Sequence, residues 1–198
     1  MLNLALALTL VTLPNSAPVA KGTAASFPWL FANGNVTSRT MTNLVADEVL
    51  TKAGYSALSQ ESAASTWMSA GLAEPNPGVW PSASALQKFG RAAKVDKILY
   101  GKVSWRTRSV WVNTGPKTIS TASVTAYVFD VARGRNVYSR TKVQARSDEK
   151  PSVNRVAEAI LSSPLITSKG DDSTSREQRA IQLGLALAYR DWVRSSLR

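Results

Sequence analysis

Apolar and polar positions alternate with a period of two through the middle of the chain. Between residues 97 and 112, Val103, Trp105 and Thr107 fall on one side, and Tyr100, Lys102, Ser104, Arg106 and Arg108 on the other. That pattern predicts a strand. The segment NTGPKT interrupts it as a turn. A second run, residues 119–131, sets Val124, Ala126 and Val128 against Thr121, Ser123, Thr125, Tyr127 and Phe129. ARGRN is a second short turn, where Gly134 is free to take a positive φ. A third run, residues 137–146, sets Val137, Thr141, Val143 and Ala145 against Tyr138, Arg140, Lys142, Gln144 and Arg146. SDEKPS closes it. Three strands joined by two short turns predict an antiparallel unit with one apolar face, whose other face can stay wet.

Helical spacing governs the rest. Met41, Leu44, Val45, Val49 and Leu50 recur at three- and four-residue intervals, with Thr37 or Ser38 as the cap and Gly54 as the stop. SQESAASTWMSAGL predicts a helix capped by Ser59 or Ser62, and ALQKFGRAAKV another, capped by Ser82 or Ser84. The loop AEPNPGVWP lies between them. At the C-terminal end, Ile181, Leu185, Ala188 and Trp192 share one helical face, with Gln178, Gln182 and Arg190 elsewhere. A further helix is expected at 153–161, followed by a polar loop at 167–175. Ahead of the first helix, the apolar run 27–32 predicts a strand closed by Asn33-Gly34-Asn35, with Pro28 at its beginning or on a sheet edge. YSAL is a short strand. Together these elements predict an α/β (α+β) sandwich, with a mixed, largely antiparallel sheet of about four or five strands flanked by helices.

Two segments divide the chain. Leu2 to Leu13 form an apolar run followed by Pro14 and small residues. Twelve residues fall short of the ~20 that a membrane span needs, and the run matches the core of an export signal. No Lys or Arg precedes it, which leaves an uncleaved buried helix as the other reading. Ala20 and Ala25 are the candidate cleavage positions. The expected organisation is a signal-like segment at 1–25 and one α/β domain at 26–198. The protein is then exported, to the periplasm or beyond the cell. It is not an integral membrane protein after signal removal.

Composition narrows the chemistry. The 198 residues include no Cys and no His. Disulfides, thiolate metal sites, imidazole general bases and imidazole metal ligands are therefore excluded. The adjacent acid pairs Asp47-Glu48, Asp148-Glu149 and Asp171-Asp172 diverge on any regular element and make poor metal clamps. Asn35 begins an NVT sequon, which matters only in a host that glycosylates. No phosphate loop is present. The expectation is no enzyme, no cofactor, no metal and no catalytic residue.

The net charge is +11, and residues 88–150 hold 14 Lys and Arg against four acids. Such an excess attracts polyanions. If the three strands pair as the turns imply, one face carries Tyr100, Lys102, Arg106, Arg108, Tyr127, Tyr138, Arg140, Lys142 and Arg146. These nine residues are the candidate site for an anionic ligand. One reading is a stacking and phosphate platform for single-stranded nucleic acid. The other is a solvated face with tyrosines half covered by basic stems.

Phe89 to Trp105, FGRAAKVDKILYGKVSW, resembles a signature of three groups of envelope proteins. These are the curli-secretion lipoprotein, the lipoprotein activators of penicillin-binding proteins, and the N-terminal domain of the Tol translocation protein B. SFPWLF at 26–31, LVADEVLTKAGYSALSQE at 44–61 and VTAYVFDVARGRNVYSRT at 124–141 resemble their first strand, their first helix with second strand, and their hairpin. The likeness spans roughly 26–146. It implies an α/β sandwich of the cell envelope that acts by binding proteins and not by catalysis; with the basic charge, the expected partner is an envelope protein or an anionic polymer. No lipid-attachment cysteine and no pore-forming segment accompany it. Within the signature, Asp96 would end the helix and Gly101 would permit close packing. The expected function is a non-catalytic exported binding domain, the alternative a nucleic-acid-binding module. Oligomeric state is left open.

Overall fold

Five strands make one sheet in the order β2-β1-β3-β4-β5 in this computed structural model, which describes residues 20–33, 36–113, 115–149 and 173–198. The strands are β1 (Thr23–Phe31), β2 (Ser56–Ala57), β3 (Lys97–Val112), β4 (Gly115–Asp130) and β5 (Arg135–Arg146). β1 runs parallel to both β2 and β3, while the much longer β3-β4 and β4-β5 ladders are antiparallel. The helices are α1 (Val36–Lys52), α2 (Gln60–Ser69), α3 (Ala83–Ala93) and α4 (Ser173–Ser196). The segment 1–19, the helix expected at 153–161, the Asp171-Asp172 pair and the sequon residue Asn35 lie outside the described residues. Among the described residues, no helix is long and apolar enough to cross a membrane.

Both sheet faces are packed, which makes three layers. On one face α1 and α4 cover Leu99, Val103, Trp105, Ala122, Val124, Ala126 and Val128 with Val45, Val49, Leu50, Ile181, Leu185, Tyr189 and Trp192. On the other, α2 and α3 cover Ala25, Ile98 and Phe129 with Trp67, Leu86 and Phe89. The rings of Phe27, Trp67 and Phe89 meet at 5.4–5.9 Å between centroids. Each large apolar side chain fully buried in these layers contributes about 1.5–3 kcal/mol.

Small residues set the layer spacing. A methyl on Gly184 of α4 would come 2.9 Å from Val124 Cγ2, so the helix axis lies close to β4. A methyl on Gly101 of β3 would meet the Thr125 carbonyl oxygen at 2.2 Å and Trp29 Cζ3 at 2.7 Å. Gly101 is therefore where the Trp29 ring lies against the sheet.

Local signals explain most boundaries. Ser59 caps α2, its hydroxyl accepting from the Ser62 amide, and Ser82 caps α3 in the same way through Ala85. Gly54 at φ 87 follows α1. Several expectations are corrected. α1 begins at Val36, so Thr37 and Ser38 lie in its first turn rather than before it. α3 is closed by Lys94 in the left-handed region, two residues before Asp96. Asp96 instead joins strands: its amide donates to the Thr23 carbonyl, and its carboxylate accepts from the Thr23 amide at 3.2 Å. β1 spans Thr23–Phe31 rather than the expected run 27–32, and Ala25 within it is fully buried. β1 is also internal. Pro28 sits where its pairing with β3 shifts register between Ser26 and Trp29, a place where the missing N–H costs no ladder bond. Gln182, expected away from the apolar face of α4, is buried because α1 packs alongside, and its amide donates to Met41 Sδ.

Candidate functional site

The register of β4 with β5 decides which candidates share a face. Val124 pairs with Val143, but Ala126 pairs with Arg140, so β5 carries one extra residue across that interval. Lys142 lies in this bulge at φ 54, its amide donating to Thr125 Oγ1. Between this bulge and the next register shift the β5 side chains change face. Tyr138 and Arg140 therefore join the α4 side, which corrects the single nine-residue face. Tyr138 packs against the main core and donates to the Ala188 carbonyl at 2.6 Å, and Arg140 ion-pairs with Asp191 of α4. A second shift, between Val128 and Phe129, turns Asn136 back to the α3 side, where it accepts from Tyr100 Oη. Val137 and Thr141, expected in the apolar set of β5, are exposed, while Val143 is half-buried and Ala145 buried.

Tyr100, Lys102, Arg106, Arg108, Tyr127 and Arg146 remain on the α2/α3 side by alternation from Ile98 and Phe129. The structure divides them again. Tyr100 and Tyr127 stack on each other at 5.1 Å, and the Trp80 ring stands edge-on over both, at 6.3 and 5.3 Å. Burial pushes the Tyr100 hydroxyl above its ordinary pKa, against the opposing hydrogen bond to Asn136. Lys102 Nζ donates to the Pro77 carbonyl. The loop between α2 and α3 thus covers the lower half of this face. Trp67 Nε1 anchors it by donating to the Ala73 carbonyl at 2.8 Å. Tyr100 is thereby only 5% exposed, and Tyr127 is half-buried between Tyr100 and Trp80.

A groove of about 270 Å³ opens beneath that loop, between Pro28, Trp67, Leu72, Pro75, Val79 and Trp80. Val79 is 65% and Trp80 43% exposed on its rim. Polar cues could not have found it: the loop reads as a proline-rich connection, and only its packing over β1 makes a concavity.

Among the described residues no element covers the upper half of the face. Lys102 and Thr125, then Ser104, Ser123 and Gln144, then Arg106, Thr121 and Arg146 form successive cross-strand rows. Arg146 is held by Asp148 through two hydrogen bonds of 3.0 Å. Burial raises the Asp148 carboxyl, and Arg146 with Lys117 outweighs it, leaving that group below the usual range. Arg106 and Arg108 have no acidic partner among the described residues.

The described acids serve the frame. Asp47 accepts from Ser26 Oγ and from Gln60 Nε2, tying α1 to β1 and α2. Burial raises its pKa, and those two hydrogen bonds oppose the rise. Asp130 accepts from Lys97 Nζ at 2.5 Å and from the Arg133 amide, closing the β4-β5 turn. Among the described residues no three metal-ligating side chains converge.

No family model matches the chain, and no curated protein matches its sequence. Solved structures do match. Lipoprotein GNA1162 from Neisseria meningitidis is 18% identical with a TM-score of 0.47, over 66% of this chain and 87% of its own. The LpoB C-terminal domain from Salmonella enterica is 16% identical with a TM-score of 0.40, over 65% and 84%. The hypothetical protein CT253 from Chlamydia trachomatis is 13% identical with a TM-score of 0.42, over 88% and 99%. The structural neighbours of this chain thus include a lipoprotein and LpoB domains.

Proposed function

We propose that the chain is an exported, non-catalytic binding domain of the bacterial cell envelope, acting through a protein partner. The observation that carries this reading is the apolar groove beneath the α2-α3 loop, with Val79 and Trp80 exposed on its rim. Exposed aromatic and aliphatic side chains around a concavity fit an apolar segment of another protein. The residue types point the same way: a chain without imidazole or thiol lacks the commonest catalytic groups. The signature around Asp96 to Val103 supports the envelope, as does the signal-like start. Processing at Ala20 would leave β1 whole, whereas processing at Ala25 would remove Thr23, Ala24 and Ala25 from the sheet.

The nucleic-acid alternative loses its geometry, because Tyr138 and Arg140 face α4 and Trp80 covers Tyr100 and Tyr127. Fractionation combined with site-specific cross-linking tests the proposal. A photoreactive side chain at Val79 should give a discrete protein adduct in the envelope fraction, and one at Lys52 on α1 should not. A cytosolic protein with Met1 intact, or identical adducts from both positions, would overturn it.

A further inference from the structure

The β3-β4 hairpin outruns its neighbours. β1 pairs with β3 only to Val103, and β5 pairs with β4 only to Thr121. Beyond those points about six residues of each strand continue as a two-stranded arm, roughly 20 Å long at the usual strand rise. The first turns of α4 brace its base. Thr107 Oγ1 donates to Glu177 Oε1 at 3.0 Å, and Arg176 donates to the Thr118 carbonyl.

Among the described residues the tip has no such support. Trp111 pairs with Pro116 and Val112 with Gly115, and these two side chains are 79% and 40% exposed. Of the chain's six tryptophans, Trp29, Trp67, Trp105 and Trp192 are buried and Trp80 packs on two tyrosines. Trp111 alone is presented to solvent at the end of an arm. The arm is also cationic. No acid occurs between Asp96 and Asp130, a stretch that carries Lys97, Lys102, Arg106, Arg108 and Lys117. The described acids in contact with the arm are Asp148, 3.9 Å from Lys117 and already engaged by Arg146, and Glu177, engaged by Thr107 at the base.

We infer that the tip of the β3-β4 arm is a docking point for an anionic lipid surface. An indole and an aliphatic side chain seat well at the boundary between headgroups and acyl chains. Lys117 and Arg108, one and two rows behind Val112 on the same face, then lie nearest the phosphates, each strengthening attachment by roughly fivefold. Charge complementarity selects an anionic surface over a neutral one. A soluble polyanion would engage Arg106 and Arg108 and leave Trp111 idle. The site is separate from the groove at Val79 and Trp80, so either reading can fail without the other.

The absence of cysteine makes the test specific, since a Cys introduced at Val112 takes the only thiol-directed label. An environment-sensitive fluorophore there should shift to the blue on vesicles of phosphatidylcholine with about one-third phosphatidylglycerol. The same label at Ala132, in the turn at the other end of β4, should not respond. W111A, and separately R108E/K117E, should weaken the response by roughly tenfold or more while far-UV circular dichroism stays unchanged. High salt should weaken it as well. An equal response on pure phosphatidylcholine, an equal response at Ala132, or full response in both variants would overturn the proposal. So would a soluble polyanion that reproduces the shift without lipid.

Discussion

Replacing Gly101 by Ala tests the packing of the sheet against the N-terminal strand. At an unstrained position this change stabilises a protein by about 0.4–1 kcal/mol, because the unfolded chain loses freedom. Here the added methyl would sit 2.2 Å from the Thr125 carbonyl oxygen and 2.7 Å from Trp29 Cζ3. Both contacts are about 1 Å too short for van der Waals packing. Neither neighbour can leave cheaply: Thr125 is paired in the long β3-β4 ladder, and Trp29 is buried against Tyr189. Overpacking of this kind costs typically 1–3 kcal/mol, and backbone involvement places Gly101 at the upper end. A net loss of about 3 kcal/mol corresponds to a melting temperature lower by roughly 6–12 °C for a chain of this size. Denaturant titration followed by far-UV circular dichroism measures it in the parent and in G101A. The same pair in a W29F background isolates the ring, and the penalty there should shrink by about 1 kcal/mol. An unchanged or raised midpoint in G101A would refute the packing argument.

Three further outcomes follow from buried polar groups. Tyr189→Phe removes a hydroxyl that donates toward the Tyr127 and Tyr100 carbonyls at 3.2 and 3.4 Å, and should cost about 1 kcal/mol in the same titration. Asp47, raised by burial, stabilises the fold most below its unfolded pKa and loses that contribution as pH rises through its folded pKa. D47N, which still accepts from Ser26 and Gln60, should therefore equal or exceed the parent in midpoint at neutral pH, whereas D47A should fall below it by about 1–3 kcal/mol. Asp130 has the opposite sign: burial raises it, but Lys97 and Arg133 outweigh burial and hold it low, so its contribution is present above the unfolded pKa and lost as pH falls through the folded one. Acid titration of D130N should lose part of the parent's steepness below about pH 4.

The fold was legible wherever one local rule acted alone. Alternation located β3 to the residue, capping serines set the starts of α2 and α3, and the Ile181-Leu185-Ala188-Trp192 face found the core. The candidate site was legible only in part. Lys102, Arg106, Arg108 and Arg146 do share a face, because no register shift separates them. Tyr138 and Arg140 do not, because counting by twos fails across an inserted residue, and Thr141-Lys142 contains no Gly or Asn to mark a left-handed bulge.

Residue types and their spacing determined the long strands, the caps of α2 and α3, the basic middle of the chain and the absence of imidazole and thiol chemistry. Each of these depends on a residue and its near neighbours along the chain. The tertiary structure decided which tyrosines are covered, how a proline-rich loop becomes a groove, and that Trp111 stands clear at the end of an arm. Those outcomes depend on how far neighbouring strands and helices extend, and long-range pairing fixes that.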